Sequence, residues 1–279
     1  MFSFNKIPRN SAVKTKTDMD HVKKNYNVVK QLASGGFSDM YTVTCRHDKS
    51  KMFVAKIVNQ TAPGRNIEEE VLLRFRHKNL VCGFEAIKSN IFIIQYLHGQ
   101  TLQEYLQQEG KIAEIDAASI MYRVADGLNH LHKNSISHGD LKLDNVMICT
   151  SGEVKLIDFG LSTKTTESNR LVQPLSAGNL VFAAPEVAAM RPYNPLKSDM
   201  WSFGVVLYVV TVGMGFKTEN LFKRNFKQIY FPRYISKLLI TFLKTSLLQF
   251  EPSERKSSED ILQDEWLLRG KFFKVKRVF

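Results

Sequence analysis

The chain has 279 residues, 44% of them apolar, and carries 39 Lys and Arg against 27 Asp and Glu for a net charge of +12. That composition reads as globular, and it excludes a membrane span, because the longest apolar stretch, Trp201 to Gly213, is too short and reads as a buried core helix. Cys45, Cys82 and Cys149 show neither CxxC spacing nor a His partner at metal spacing, so they read as reduced thiols of an intracellular protein.

In chain order, Met1 to Ser11 carries Lys6, Pro8 and Arg9 without an apolar run, so it is not a signal peptide. Residues 1–26 read as a polar, basic, loosely held arm. Residues 1–30 hold seven basic residues against Asp18 and Asp20, a net +5. Short β-rich runs follow at Asn27–Leu32, Met40–Cys45, Met52–Val58, Val81–Ile87 and Ile91–Gln95. One helical segment, Asn66–Phe75, interrupts them, with Asn66 and Glu69 spaced as a capping box. From Thr101 the helical period dominates. Ile115, Ala118, Met121, Val124, Ala125, Leu128 and Leu131 form one apolar face. Strands at Asn145–Cys149 and Val154–Ile157 are joined by a turn at Ser151-Gly152. Leu161 to Tyr193 reads as a long irregular stretch, which in a compact domain points to function. Ser198 to Arg269 reads as several helices. The last eleven residues, 269–279, hold five basic residues and no acid. Both basic ends favour anionic partners such as nucleic acid, acidic proteins or anionic lipid. A solvated, solubilising surface is the plain alternative and suffices for either end alone. A small β lobe before a larger helical lobe places a cleft near Leu97–Gly99, where a nucleotide could sit.

The chemistry concentrates in two segments. Asp158-Phe159-Gly160 follows an apolar strand, and a carboxylate there can reach a Mg²⁺ on triphosphate oxygens. Upstream, His138-Gly139-Asp140-Leu141-Lys142-Leu143-Asp144-Asn145 sets an Asp and an Asn five apart. Asp140 can accept the proton of a substrate hydroxyl, and Asn145 can bind a second metal ion. Either segment alone could be a surface turn or loop; their spacing, with a strand after each, makes the pair specific.

On these residues the chain resembles the eukaryotic-type protein kinase superfamily, from about Asn27 to Leu268. The resemblance implies an α+β, bilobal fold. A small β-sheet N-lobe with one helix spans 27–96, a larger, mainly helical C-lobe spans 97–268, and a basic tail spans 269–279. Leu32-Ala33-Ser34-Gly35-Gly36-Phe37-Ser38-Asp39-Met40 stands where kinases carry the Gly-rich loop over the phosphates. Phe53-Val54-Ala55-Lys56 matches the strand with the phosphate-binding Lys, and Glu68 the helix acid that pairs with it. By the same analogy Ile94 is the gatekeeper. Gln95 and Leu97 offer backbone groups to adenine, and Met40, Val54 and Met147 sandwich the ring. For these apolar residues ordinary core packing is nearly as good a reading. Asn145 and Asp158 are the implied metal ligands, and ATP with Mg²⁺, or Mn²⁺ in its place, the implied cofactors. Ala184-Pro185-Glu186 resembles the end of an activation segment, and Ser198-Asp199-Met200-Trp201 the start of the central large-lobe helix. Asp199 is expected to hold the catalytic-loop backbone, Arg255 to pair with Glu186, and His138 to be structural. Lys142, two residues after Asp140, points to Ser/Thr rather than Tyr as acceptor.

Three departures from the family involve four positions. Ala33 and Ser38 replace the first and third glycines of the phosphate loop, which makes it stiffer. Gly139 replaces the Arg that usually grips an activation-segment phosphate, so phosphorylation at Ser162, Thr163, Thr165, Thr166, Ser168 or Ser176 is expected to matter little. Asn179 replaces a Thr that contacts the catalytic Asp, and its amide can still donate a hydrogen bond. Two rival readings share the fold. One is a small-molecule phosphotransferase of the aminoglycoside or choline kinase kind, against which Ala184-Pro185-Glu186, Asp199 and Arg255 argue. The other is a pseudokinase acting as a binding module, against which the presence of Lys56, Glu68, Asp140, Asn145 and Asp158 argues. Asp144 sits where kinases of basic peptides often carry an acid, although the chain's own positive charge opposes steering of basic substrates. Compactness, the degenerate Gly-rich loop and the missing Arg resemble kinases of large DNA viruses, in particular baculovirus late protein kinases. That likeness implies Arg-rich protein substrates, nucleic acid contact through the basic ends, and a place in the host nucleus, the cytoplasm or the virion. Oligomeric state is open on sequence alone.

Overall fold

The structure is a computed structural model and describes residues 11–35, 38–58, 65–166, 168–174, 181–213 and 229–275. It divides into two compact units, Met1–Phe75 with Cys82–Tyr96, and Arg76–Val81 with Leu97–Phe279. The architecture is α+β, an antiparallel sheet in the first unit and a mainly helical second.

In the first unit, α1 (Ser11–Asn25) leads into β1 (Tyr26–Ser34), β2 (Ser38–Cys45) and β3 (Met52–Val58). Helix α2 (Arg65–Arg74), β4 (Gly83–Lys88) and β5 (Ile91–Gln95) complete it, and the sheet order is β1-β2-β3-β5-β4. Strand side chains alternate between faces, so the register sorts the residues. Val43, Ala55, Ile57, Ile91 and Ile93 form a buried cluster on one face, and Val22 of α1 packs into it with Met19 beside it. Residues 11–25 are therefore not a loose arm. Met19 and Val22, three apart, share one side of a helix, and Asn90 Nδ2 donates to Asp18 Oδ2 at 3.0 Å. Asn66 does not cap α2 but lies inside it, one residue past Arg65. The fourth strand begins at Gly83 rather than Val81, because the Val81 amide donates to the Leu156 carbonyl at 2.9 Å in the other unit's own sheet region.

In the second unit, Arg76–Val81 is fastened by that bond and by Leu156 N–H to Asn79 O, 2.9 Å. The elements are β6 (Gly99–Thr101), α3 (Leu102–Glu109), α4 (Glu114–His132), β7 (Ile136–Ser137), β8 (Val146–Cys149), β9 (Val154–Leu156) and β10 (Thr163–Lys164). They are followed by α5 (Pro185–Ala188), α6 (Pro195–Val212), α7 (Lys237–Phe242), α8 (Ser258–Ile261) and α9 (Glu265–Leu268). Thr101 and Glu104 close a reciprocal capping box that starts α3. Asn194 caps α6, with Pro195 in its first turn. Helix α6 is buried on all sides, as an apolar helix interior to a bundle must be. Along α4 the expected apolar face is buried except at its first position, Ile115, which is half-buried. The stretch from Leu161 to Tyr193 is less irregular than its sequence suggests. It holds β10, α5 and a Val172–Tyr193 bridge with amide–carbonyl bonds of 2.9 and 3.0 Å.

Candidate active site

In the first unit the residues assigned to nucleotide binding lie on the sheet face opposite α1. Lys56 pairs with Met40 and Phe92 across the strands, and Val54 with Thr42 and Ile94, so these side chains share one face. Glu68, in the first turn of α2, reaches Lys56, with Nζ 2.5 Å from Oε1. Both side chains are almost wholly buried, at 4% and 1% exposure. Burying two charges is tolerable only in such direct contact. The Gly-rich segment is largely strand. Leu32, Ala33 and Ser34 lie in β1, with Ala33 opposite Met40 and Ser34 opposite Asp39. Gly35 N–H donates to Ser38 O at 2.9 Å, and Ser34 Oγ to Asp39 Oδ1 at 2.6 Å. Gly36 and Phe37 lie outside the described residues, as do Ser176 and Asn179. Gln95 ends β5, and its amide is engaged by the Cys82 carbonyl at 2.9 Å.

The second unit gathers Asp140, Lys142, Asn145 and Asp158. Lys142 Nζ lies 2.6 Å from Asp140 Oδ2. Asn145 Nδ2 donates to Asp140 Oδ2 at 3.0 Å and to the Asp140 carbonyl at 2.8 Å. That orientation aims the amide donor at Asp140 and leaves the amide oxygen for another partner. Ile157 N–H donates to Asn145 O at 3.0 Å, which ties the strand before Asp158 to the loop. Asp158 is a non-glycine residue at φ 63°, a strained conformation of the kind found at functional sites. Oxygen donors from Asn145 and Asp158 suit Mg²⁺ or Mn²⁺, and a two-ligand set is what Mg²⁺ uses when substrate phosphates complete its shell. Among the described residues no cluster of three or more His, Cys, Asp or Glu could hold a metal alone. Leu97 and Met147 are half-buried, Leu97 just before β6 and Met147 within β8.

The loop that carries Asp140 is held from behind. Asp199 of α6 accepts from His138 N–H at 2.7 Å and Gly139 N–H at 2.9 Å. His138 is fully buried, its Nε2 is 3.1 Å from Ile157 O, and its ring lies 5.4 Å from that of Phe159. Two supports escaped the sequence reading. His132 Nε2 sits 2.9 Å from Asp199 Oδ2, and Ser162 Oγ donates to His138 O at 3.1 Å. A His ending an apolar helix six residues before His138 was the available signal for the first. The second depends on a chain reversal that no local pattern shows. Gly139 has φ 80°, and a Cβ there would stand 2.2 Å from Leu161 O. Glycine is thus required where this chain's loop meets the segment after Asp158. Below the loop, Arg255 makes a bidentate pair with Glu186, at 2.6 and 2.8 Å.

Comparison with known proteins gives this geometry its setting. The family model for the protein kinase domain matches residues 26–267. Protein kinase kin1 of Schizosaccharomyces pombe is 33% identical over 183 residues, 64% of this chain and 20% of that protein. The carbon catabolite-derepressing protein kinase of Saccharomyces cerevisiae is 31% identical over 256 residues, 87% of this chain and 40% of its own length. The serine/threonine-protein kinase ppk25 of Schizosaccharomyces pombe is 33% identical over 225 residues, covering 77% of this chain and 52% of that one. The chain thus spans from a fifth to about half the length of these relatives.

Proposed function

The chain belongs to the protein kinase domain family, and from that premise we propose that it transfers the γ-phosphoryl group of ATP to Ser and Thr hydroxyls of protein substrates. The observation that carries this reading is the Asp140 carboxylate held between Lys142 and Asn145 at 2.6 and 3.0 Å. In it, Asp140 orients the acceptor hydroxyl and takes its proton, and Lys142 offsets negative charge beside that carboxylate. Lys56, steadied by Glu68, contacts the α- and β-phosphates as a point charge. Leu32 to Ser38 covers the phosphates; Met40, Val54 and Met147 pack the adenine, and the backbone at Gln95 and Leu97 orients it. Asn145 and Asp158 would hold Mg²⁺, which would supply positive charge beside the phosphate oxygens. Asp144 is exposed beside this group, which supports a basic, Arg-rich peptide as acceptor. A viral kinase working in the host nucleus, the cytoplasm or the virion is the setting that resemblance favours.

Activity without activation-segment phosphorylation belongs to the same reading. Strand β10 pairs with β7, Thr165 N–H donates to Ser135 O at 2.9 Å, and Ser162 bonds to His138. These bonds do within the chain what a phosphate gripped by an Arg does elsewhere. Ser162 and Thr165 are buried, at 3% and 8% exposure, and are unsuited to modification. The test measures ³²P transfer from Mg-ATP to an Arg-rich and an acidic protein. Wild type is expected to label the Arg-rich one, Thr166→Ala/Ser168→Ala/Ser176→Ala to keep most of the rate, and Asp140→Asn to lose about 10²- to 10⁴-fold. Nucleotide binding without transfer to any protein would overturn the assignment.

A further inference from the structure

The C-terminal segment does not trail away from the second unit. Gly270 crosses α4 so closely that a Cβ on it would stand 2.1 Å from the Ala118 carbonyl. The Phe273 carbonyl accepts from Ser119 Oγ at 2.7 Å and from Arg123 Nη2 at 2.9 Å. Val275 is 5% exposed, and its carbonyl lies over Gly152 in the turn between β8 and β9. Pinned this way, the segment walls a recess of about 470 Å³ whose charged lining is Lys78, Arg123, Lys271 and Lys274 with Asp126 and Glu153.

The charges there do not cancel. Asp126 already faces Lys78 at 3.0 Å and His77 at 3.7 Å. Glu153 accepts from Ser151 Oγ at 3.1 Å. Arg123 donates only to neutral oxygens, those of Ser119 and Phe273. Among the described residues no carboxylate lies within ion-pair reach of Arg123, Lys271 or Lys274. Beside these cations two large apolar rings face water, Phe272 at 86% and Phe273 at 54% exposure. The Lys271 ammonium lies 5.6 Å from the Phe272 ring centre, so cation and ring stand side by side on this segment. In sequence, Lys276 and Arg277 extend the same basic run.

We propose that this recess, together with the two exposed rings on the segment that walls it, binds single-stranded nucleic acid, the cations contacting phosphates and Phe272 and Phe273 stacking on bases. A positive recess with aromatic platforms is how such strands are held without sequence preference. Duplex bases are already stacked on one another and offer the rings no face. A bilayer is a flat charged plane that cannot follow a concave wall. The recess lining includes none of the residues assigned to phosphoryl transfer, and the inference does not depend on that assignment.

The test is fluorescence anisotropy of the full chain with a labelled 20-nucleotide oligo-dT across a salt series. Wild type is expected to bind with a steep salt dependence. Lys271→Ser/Lys274→Ser should reduce the slope of log K against log salt by about 1.4, the value for two lost phosphate contacts on a single strand. Phe272→Ala should weaken binding roughly five- to 150-fold and leave the slope unchanged, the size of one stacked base. Far-UV circular dichroism and thermal melting should match wild type for all variants, since the substituted side chains are exposed. No binding, binding unchanged by these substitutions, equal affinity for a 20-base-pair duplex, or tighter binding to phosphatidylserine vesicles would overturn it.

Discussion

Each of the two units holds a buried ion pair, and the two pairs differ in the cation that makes them. In the second unit every donor of Arg255 is directed to a protein oxygen. Nε reaches Gln249 O, Nη1 reaches Glu186 Oε1 and Lys197 O, and Nη2 reaches Glu186 Oε2 and Phe250 O. The guanidinium also stacks 5.2 Å from the Trp201 ring. A planar fork with five fixed donors suits that role. In the first unit the cation is an ammonium, a compact charge on a flexible stem, with Nζ 2.5 Å from Glu68 Oε1. One pair is architecture; the other is a poised charge whose partner keeps it in place. The difference teaches that burial alone does not distinguish a structural ion pair from a working one, whereas the identity of the cation, a planar fork or a mobile ammonium, does.

Replacement of charges should break or sharpen this contrast. The largest effect is expected for Arg255→Met, which strands Glu186 and several carbonyls and should cost about 3–5 kcal/mol in a denaturant melt. Removing both charges, as Glu186→Leu/Arg255→Met, should still leave the protein about 2 kcal/mol or more less stable, because the carbonyl acceptors stay unmet. Lys56→Met/Glu68→Leu should behave in the opposite way. Its melt is expected near that of wild type, since two buried charges leave together, while phosphoryl transfer falls about 10²- to 10³-fold. Equal thermal losses for the two double variants would remove the distinction.

A smaller effect is expected at the loop that carries Asp140. Gly139→Ala combines positive φ with a clash against the Leu161 carbonyl, and should cost about 1–3 kcal/mol. Because Asp140 is next in the chain, kcat should fall with stability while the affinity for nucleotide holds. The smallest belongs to a third, half-exposed contact, His77 with Asp126 at 3.7 Å. There burial, ahead of the attraction of Asp126, pushes the His77 pKa below its usual 6.5. A depressed histidine pKa means the unfolded chain binds the proton first. Stability should therefore drop as pH falls below about 6.5, and His77→Gln should flatten that part of the melting-temperature profile relative to wild type.

Much of this was legible before any coordinates, for a physical reason. Asp140, Lys142, Asn145 and Asp158 lie in short runs, His138 to Asn145 and Asp158 to Gly160, where spacing along the chain nearly sets spacing in three dimensions. Strand alternation likewise fixed which residues share a face with Lys56. What the sequence did not show was long-range. Helix α1 was hidden because its core contacts among the described side chains are Met19 and Val22, two apolar residues in a segment that also carries four Lys. Gly139 reads as a lost Arg until Leu161 is seen against it. Ser162 reads as a modifiable hydroxyl until it is found buried on His138.

Helix α1 also bears on where this protein can be cut. The family match opens at residue 26, and α1 ends at Asn25. A chain trimmed to that boundary would retain every residue assigned to catalysis and lose the cover over Ala55, Ile57 and Ile93. The uncovered side of the sheet would then offer an apolar surface for self-association. The limits of shared ancestry and the limits of an independently soluble body are separate lines on this polypeptide, and here they part by one helix.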